Sequence, residues 1–310
     1  MIIVKLIGGL GNQLFQYAAA LNLANRRNTE LKIDRGILGN ETPIDVTPRE
    51  LELDLFQTNL VFASQSEIDS FKQWSGNAYL RFLQRKYPIA FYRFLQLISR
   101  FAGRNSLPKM YIAESGFRFM KSYKHLPGNV YLEGFWQSEK YFCEIRDLLL
   151  KEFTPRDKMN EVNLEILNKI NKVNSVSIHF RRGDFITNKN ASNFHGALTL
   201  EYYKKAVTEI SGQVSNPEFF IFSDDANWVK ENFKIDYPIN FVMHNTGRDS
   251  VYDMVLMSNC KHNVIANSSF SWWGAWMNKH ESKIVIAPKH WFNDETIDTA
   301  DLIPSDWLRI

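Results

Sequence analysis

The sequence predicts an α/β protein of two domains built on mostly parallel sheets. Three observations predict it. The chain opens with a strand, a glycine turn, a helix and a second strand. Its second half repeats strand, loop and helix in order. Its 310 residues also exceed what one hydrophobic core ordinarily supports, about 250 to 300.

The elements follow from hydrophobic spacing. Ile2 to Ile7 is an apolar run, Gly8-Gly9-Leu10-Gly11-Asn12-Gln13 a tight turn, and Leu14 to Arg27 carries helical spacing through Leu14, Ala18, Leu21 and Ala24. Glu30 to Asp34 is the second strand. A glycine turn entering a helix aims backbone N–H groups at an anion or a polar sugar. The spacing argues against a dinucleotide, because Leu14 stands where the third glycine of that fingerprint belongs, although Asp34 sits near the place of a ribose-binding acid. From Arg35 to Gly128 prolines punctuate short amphipathic pieces. Val130 to Phe142 reads as a strand turning into a loop, with a helix over Lys140 to Phe153. Thr154-Pro155 breaks that helix and sets the expected boundary, residues 1–155 against 156–310. Beyond it, strands are expected at 173–180, 219–222, 240–243, 263–266 and 284–287, and helices at 159–171, 200–210, 226–233, 249–258 and 272–278.

Composition narrows the function. Hydrophobic content of 45% and charged content of 23% describe a soluble globular chain, and a net charge of +3 implies no nucleic-acid partner. Cys143 and Cys260 are the only cysteines, too few for a disulfide framework or a structural zinc site, which fits a reducing, cytoplasmic setting. The apolar N-terminus is too short for a signal peptide or a membrane span. The charge is unevenly placed. Ser70 to Ala113 contains no acid, yet interleaves Lys72, Arg81, Arg85, Lys86, Arg93, Arg100, Arg104 and Lys109 with Trp74, Tyr79, Phe82, Tyr87, Phe91, Tyr92, Phe94 and Phe101. Such a segment suits a peripheral contact with anionic lipid or a lipid-linked partner. The competing reading puts the aromatics in the core with the cations on their solvated side.

The chemistry concentrates at His179-Phe180-Arg181-Arg182-Gly183-Asp184, which ends a buried strand. Residue types alone leave two readings: a surface ion-pair cluster closed by Asp184, or a diphosphate site that needs no metal, since paired guanidiniums present planar forks of donors to phosphate oxygens. Position favours the second. Ser223-Asp224-Asp225 and Asn267-Ser268-Ser269-Phe270-Ser271 also fall at strand ends, and ligands of parallel sheets bind at those ends. Arginines on a diphosphate, serines and a helix N-terminus on phosphate or ribose, and a carboxylate on a base would together hold a nucleotide. Asp253 is the candidate base contact, favouring guanine over uracil because a carboxylate matches the two donors of guanine's edge. Ser223-Asp224-Asp225 imitates an Asp-x-Asp metal site only loosely, and helix capping, by Asp225, or ribose contact is favoured, with Asp224 counted among the nucleotide-binding residues; Trp272 and Trp273 are expected in the core.

His179-Phe-Arg181-Arg182-Gly-Asp184 is similar to the H-x-R-R-x-D motif of α-1,2-, α-1,6- and protein O-fucosyltransferases. Gly8 to Tyr17, Gly134-Phe135-Trp136-Gln137-Ser138 and Asn267 to Trp273 together resemble bacterial α-1,2-fucosyltransferases of glycosyltransferase family 11. The resemblance runs in order from residue 1 to about 276, with none of its motifs between Arg35 and Pro127. It implies a GT-B architecture of two Rossmann-like domains facing a cleft, with the acceptor on the N-terminal one and GDP-β-L-fucose on the C-terminal one. It implies inverting, metal-independent transfer to the 2-hydroxyl of a terminal β-galactoside in a surface polysaccharide, O-antigen unit or blood-group-like glycan. Carried over by residue, Arg181 would contact the diphosphate with Arg182 in support, and His179 and Asp253 would read guanosine. Asn267, Ser268, Ser269 and Phe270 would complete the nucleotide site. Gly11 and Asn12 lie in the opening turn, with Asn12 directed at the departing phosphate or the acceptor, and Asp184 would help deprotonate the acceptor hydroxyl. Two alternatives stand beside this: a transferase using another GDP-sugar, and a non-catalytic nucleotide-sugar or glycan-binding protein. Asn12, Arg181 and Asp184 occurring together argue against the latter.

Overall fold

The structure, a computed structural model, describes residues 1–39, 49–72, 77–101, 109–183, 194 and 196–310. Asp184, the candidate base, lies outside the described residues, as do Trp74 and Arg104 of the basic segment. The chain is α/β, and every strand pairing is parallel among the described residues. It divides into two compact units: Met1–Phe153 with Asp298–Leu302, and Thr154–Ile297 with Ile303–Ile310.

The first unit holds β1 (Ile2–Lys5), α1 (Leu10–Arg27), β2 (Leu31–Asp34), α2 (Gln65–Lys72), α3 (Ala78–Lys86), α4 (Pro88–Phe101), β3 (Met110–Ala113), β4 (Val130–Glu133) and α5 (Arg146–Glu152). Its sheet runs β2-β1-β4-β3, so the central strands β1 and β4 deliver their following loops to one edge. Ile2, Ile3, Val4, Val130, Tyr131 and Leu132 are fully buried, as strands covered on both faces require. Helix α1 begins at Leu10, four residues before the expected start. Gly8, at φ +81°, makes the turn alone, and the carbonyl of Gly9 accepts from the N–H groups of Asn12 and Gln13, drawing both into the first helical turn.

The single helix expected over Lys140 to Phe153 is replaced by two 3-10 turns, Glu139–Tyr141 and Cys143–Ile145, ahead of α5. Adjacent Tyr141 and Phe142 are both buried, which one helical face cannot achieve, and Phe142 leaves helical geometry at φ −147° and ψ 2°. The return segment Asp298–Leu302 belongs to this unit, where Asp301 accepts from the N–H of Phe119 at 3.0 Å and pairs with Arg118 at 3.2 Å. A linear division at residue 155 does not contain it. Long-range ion pairs leave no trace in hydrophobic periodicity.

The second unit holds α6 (Glu161–Lys172), β5 (Asn174–Phe180), α7 (Leu200–Ser211), β6 (Pro217–Ser223), α8 (Ala226–Asn232), β7 (Ile239–Val242), α9 (Ser250–Asn259), β8 (His262–Val264), α10 (Ser269–Met277), β9 (Val285–Ala287) and β10 (Leu308–Arg309). The sheet order is β10-β9-β8-β5-β6-β7. From β5 the chain adds strands in one direction through β6 and β7; from β8 it adds them in the other. The order therefore reverses between β5 and β8, a topological switch point whose strand ends open a crevice. Its core joins Val176, Ile178, Phe180, Phe219, Ile221 and Val264 of the sheet to Tyr203, Ala206 and Ile210 of α7.

Candidate functional site

The crevice at the β5 and β8 ends gathers most of the expected nucleotide residues. β5 delivers His179, then Arg181 and Arg182; β6 delivers Asp224 and Asp225. Arg181 pairs with Asp224 through Nη1 and Oδ2 at 2.8 Å, and the Arg182 N–H donates to Asp224 Oδ1 at 2.9 Å. Arg182 Nε donates to Asp225 Oδ2 at 3.1 Å, while its guanidinium lies 3.2 Å from the centre of the Trp228 ring. Both arginines thus have acid partners, supplied by the neighbouring strand. One carboxylate orients a guanidinium without exhausting its five donors. A Cβ on Gly183 would stand 2.9 Å from Asp224 Oδ2, so a larger residue there would push aside the carboxylate that orients Arg181.

His179 is buried, and its Nδ1 has no hydrogen-bond partner among the described residues. Burial brings its pKa down to about 4, with Arg181 acting in the same sense and the Asp224 carboxylate opposing, so the ring is neutral at physiological pH. Its ring centre is 5.7 Å from that of Phe270, at the start of α10. That helix is capped by Ser268, whose Oγ accepts from the Phe270 N–H at 3.3 Å. Its first turn lies at the same edge, where a helix N-terminus favours an anion. Asn267 is a strut: its amide donates to the carbonyls of Gly196 at 3.0 Å and Trp291 at 3.2 Å. Asp225 also caps α8 by accepting from the Trp228 N–H at 3.4 Å, and Trp272 and Trp273 are core residues.

Asp253, in the first turn of α9, belongs to a separate network. Asn245 Nδ2 donates to its Oδ1 at 2.7 Å, Asn163 and Asn245 bond each other through their amides at 2.9 Å, and His244 Nε2 meets Asn163 Oδ1 at 2.9 Å. Asp253 Oδ2 has no hydrogen-bond partner among the described residues. Burial pushes the Asp253 pKa up to about 7, against the pull of Asn245. Asp253 makes no hydrogen bond to the His179 and Asp224 group among the described residues. Sequence reasoning missed Asn163, His244 and Asn245, because nothing short-range links a residue of α6 to the loop after β7.

The first unit has its own polar edge. Gln137 Nε2 donates to Asn12 Oδ1 at 2.8 Å, which turns the Asn12 amide so that its NH₂ faces away from Gln137. Gln16 donates to the carbonyls of Ile7 and Gly134 at 3.2 and 3.1 Å, tying the loop after β1 to the loop after β4. That second loop is conformationally costly: Gly134 has φ +156° and Trp136, a buried non-glycine residue, φ +56°. Glu114 holds it. Its Oε2 accepts from the N–H groups of Phe135 and Trp136 at 2.9 and 2.7 Å, and its Oε1 from the Tyr141 hydroxyl at 3.2 Å. Burial pushes the Glu114 pKa up to about 7, with those donors opposing. Neither Glu114 nor Arg49, whose guanidinium lies about 3.8 Å from where a Gly9 Cβ would stand, was signalled by spacing in the sequence. Gly11 is buried in the first turn of α1 and supplies backbone only.

Parallel α/β units that place cations, a helix N-terminus and a buried carboxyl at strand ends are the construction of proteins that bind phosphorylated nucleotides. The chain belongs to glycosyl transferase family 11, whose family model matches residues 1–310. It is 34% identical to an alpha-1,2-colitosyltransferase of Escherichia coli, over 100% of this chain and 99% of that one. It is 36% identical to the O-antigen biosynthesis glycosyltransferase WbnK of Escherichia coli, over 98% and 99% respectively. A solved structure of an Arabidopsis thaliana FUT1 variant in complex with GDP aligns at 10% identity and a TM-score of 0.49, covering 98% of this chain and 74% of that one.

Proposed function

We propose that this glycosyltransferase moves L-fucose from GDP-β-L-fucose to the 2-hydroxyl of a terminal β-galactoside, forming an α-1,2 linkage with inversion. The observation that supports it most is the company Arg181 keeps: two oriented guanidiniums, a neutral buried imidazole and a helix N-terminus at one switch point. In the reaction the acceptor oxygen bonds to the fucosyl C1 from the face opposite the donor phosphate. The C1–O bond to phosphate breaks, its electron pair leaves with GDP, and the acceptor proton passes to a base. Charge grows on the β-phosphate as the sugar becomes oxocarbenium-like. A fixed guanidinium aimed there stabilises the transition state more than the ground state and does so without a metal ion.

The remaining roles follow. Arg182 supports the diphosphate, His179 and Asp253 read guanosine, and the α10 N-terminus takes a phosphate or ribose oxygen. Asp224 acts by orienting Arg181. Asn12, its amide turned by Gln137, donates to the departing phosphate or the acceptor, and Asp184 is the candidate base. The reading carries the GT-B arrangement that the family resemblance implies, with the donor on the second unit and the acceptor on the first. A second reading replaces fucose by colitose on the same nucleotide, favoured by the full-length similarity to an alpha-1,2-colitosyltransferase. The test is a donor panel of GDP-fucose, GDP-colitose, GDP-mannose and a UDP-sugar against β-galactoside acceptors, with linkage assigned by NMR. Turnover of the UDP-sugar alone, or GDP-sugar binding without turnover on every acceptor, would sink the proposal.

A further inference from the structure

The α3–α4 pair has its apolar side chains the wrong way round for a solvated surface. Among the described side chains of α4, one large apolar residue, Phe91, is buried, while Ile89, Phe94, Leu97 and Ile98 are exposed. An ordinary surface helix buries its apolar stripe and shows its polar one. Tyr79 and Phe82 of α3 and Tyr87 of the junction extend the patch, and these seven side chains are between 39% and 67% exposed. The reading that put the segment's aromatics in the core therefore holds for Phe91 and fails for Tyr79, Phe82, Tyr87 and Phe94. A contiguous apolar surface of this kind on a soluble chain marks a place where something else sits.

Charge selects what sits there. Arg93 is exposed within the α4 patch, and Lys86 Nζ lies 5.4 Å from the ring centres of both Phe82 and Tyr87. No acid occurs from Ser70 to Ala113. The 3-10 turn that packs on α4, Lys121–His125, adds Lys121, Lys124 and His125, of which Lys124 is paired with Glu144 at 3.2 Å. A second copy of the chain meeting this face symmetrically would set cations against cations. At 14 residues α4 is about 21 Å long, too short for a hydrocarbon core of about 30 Å, and no described helix is long and apolar enough to cross a membrane. We infer that the α3–α4 surface lies in the plane of an anionic bilayer, with Phe94, Leu97 and Ile98 in the boundary region and Lys86 and Arg93 on the headgroups. This does not depend on which sugar the enzyme transfers.

The test is co-sedimentation of the full chain with vesicles of phosphatidylcholine alone and of phosphatidylcholine mixed with phosphatidylglycerol. Binding is expected to the mixed vesicles, to weaken with salt, and to fall about fivefold for each cation neutralised in Lys86→Gln and Arg93→Gln. A Phe94→Asp, Leu97→Asp double variant should lose binding while keeping the wild-type circular-dichroism spectrum and thermal midpoint, which shows that the unit carrying α4 is folded. Equal sedimentation with neutral and anionic vesicles, or undiminished binding by the double variant, would overturn the inference. So would a lipid-free dimer that the double variant dissociates, combined with no vesicle binding by the wild type.

Discussion

Glu114, half-buried, and Asp253, buried, are two carboxyls whose pKa values are raised alike and whose surroundings differ. Each lies at the polar edge of its own sheet, and burial pushes each pKa up to about 7. Glu114 has both oxygens occupied by the protein: two backbone N–H groups and a tyrosine hydroxyl. Asp253 has one oxygen on Asn245 and the other without a hydrogen-bond partner among the described residues. A shifted pKa therefore marks a desolvated carboxyl and says little about its task. What fills its oxygens bears on that: Glu114 keeps a strained loop in place, and on the proposed function the second oxygen of Asp253 is the one that accepts from the ligand.

The arginine pair sets the scale for effects on either side of that contrast. Arg181→Ala should lower kcat/KM by about 10³-fold or more, measured as GDP release with a saturating acceptor, with little change in thermal midpoint because its ion pair with Asp224 is partly solvated. Next come the carboxyls themselves. Asp253→Ala should weaken GDP about 10- to 100-fold in calorimetry and leave folding stability unchanged or raised at alkaline pH. Glu114→Ala should do the reverse, costing about 1 to 3 kcal/mol in denaturant unfolding, chiefly through the N–H of buried Trp136 left unpaired, with GDP affinity little altered. The contrast breaks if the two variants behave alike.

Titration sharpens it further. Asp253 must be ionised to accept from guanine, so GDP affinity should rise about tenfold between about pH 6 and 8, and Asp253→Asn should flatten that slope. For folding the sign is opposite. Both carboxyls have folded pKa values above their unfolded ones, so the folded state binds more protons between about pH 4 and 7, and stability falls as pH rises through that window. His179, with its folded pKa lowered to about 4, works against them: the unfolded state binds its proton first, and stability falls as pH drops from about 6.5 towards 4. Smaller still, Gln137→Leu should reduce kcat by about tenfold without changing GDP affinity, since it removes only the bond that turns the Asn12 amide. EDTA should have no effect on the rate.

Much of this was legible beforehand, for a physical reason. A parallel sheet buried on both faces writes itself as apolar runs, so β5 and β6 and the residues at their ends could be read directly, including His179, Arg181 and the capping role of Asp225. The glycine turn announced α1, though not that Asn12 would sit inside the helix. Contacts between distant segments stayed hidden. Asp224 as the partner of Arg181, Asn245 behind Asp253, and Glu114 under the Gly134 to Trp136 turn all depend on tertiary closure, which spacing cannot express. The sequence left the facing of α4 open between an interfacial surface and a core for a different cause: its spacing is helical whichever way the helix is turned.

The central claim is that the crevice between the ends of β5 and β8 binds the diphosphate of a GDP-sugar through Arg181. Titrating GDP calorimetrically into the wild-type chain and into Arg181→Ala, both in EDTA, tests it most directly. Binding by the wild type that weakens about 10- to 100-fold in the variant is the expected result; equal affinity of the two chains would contradict it.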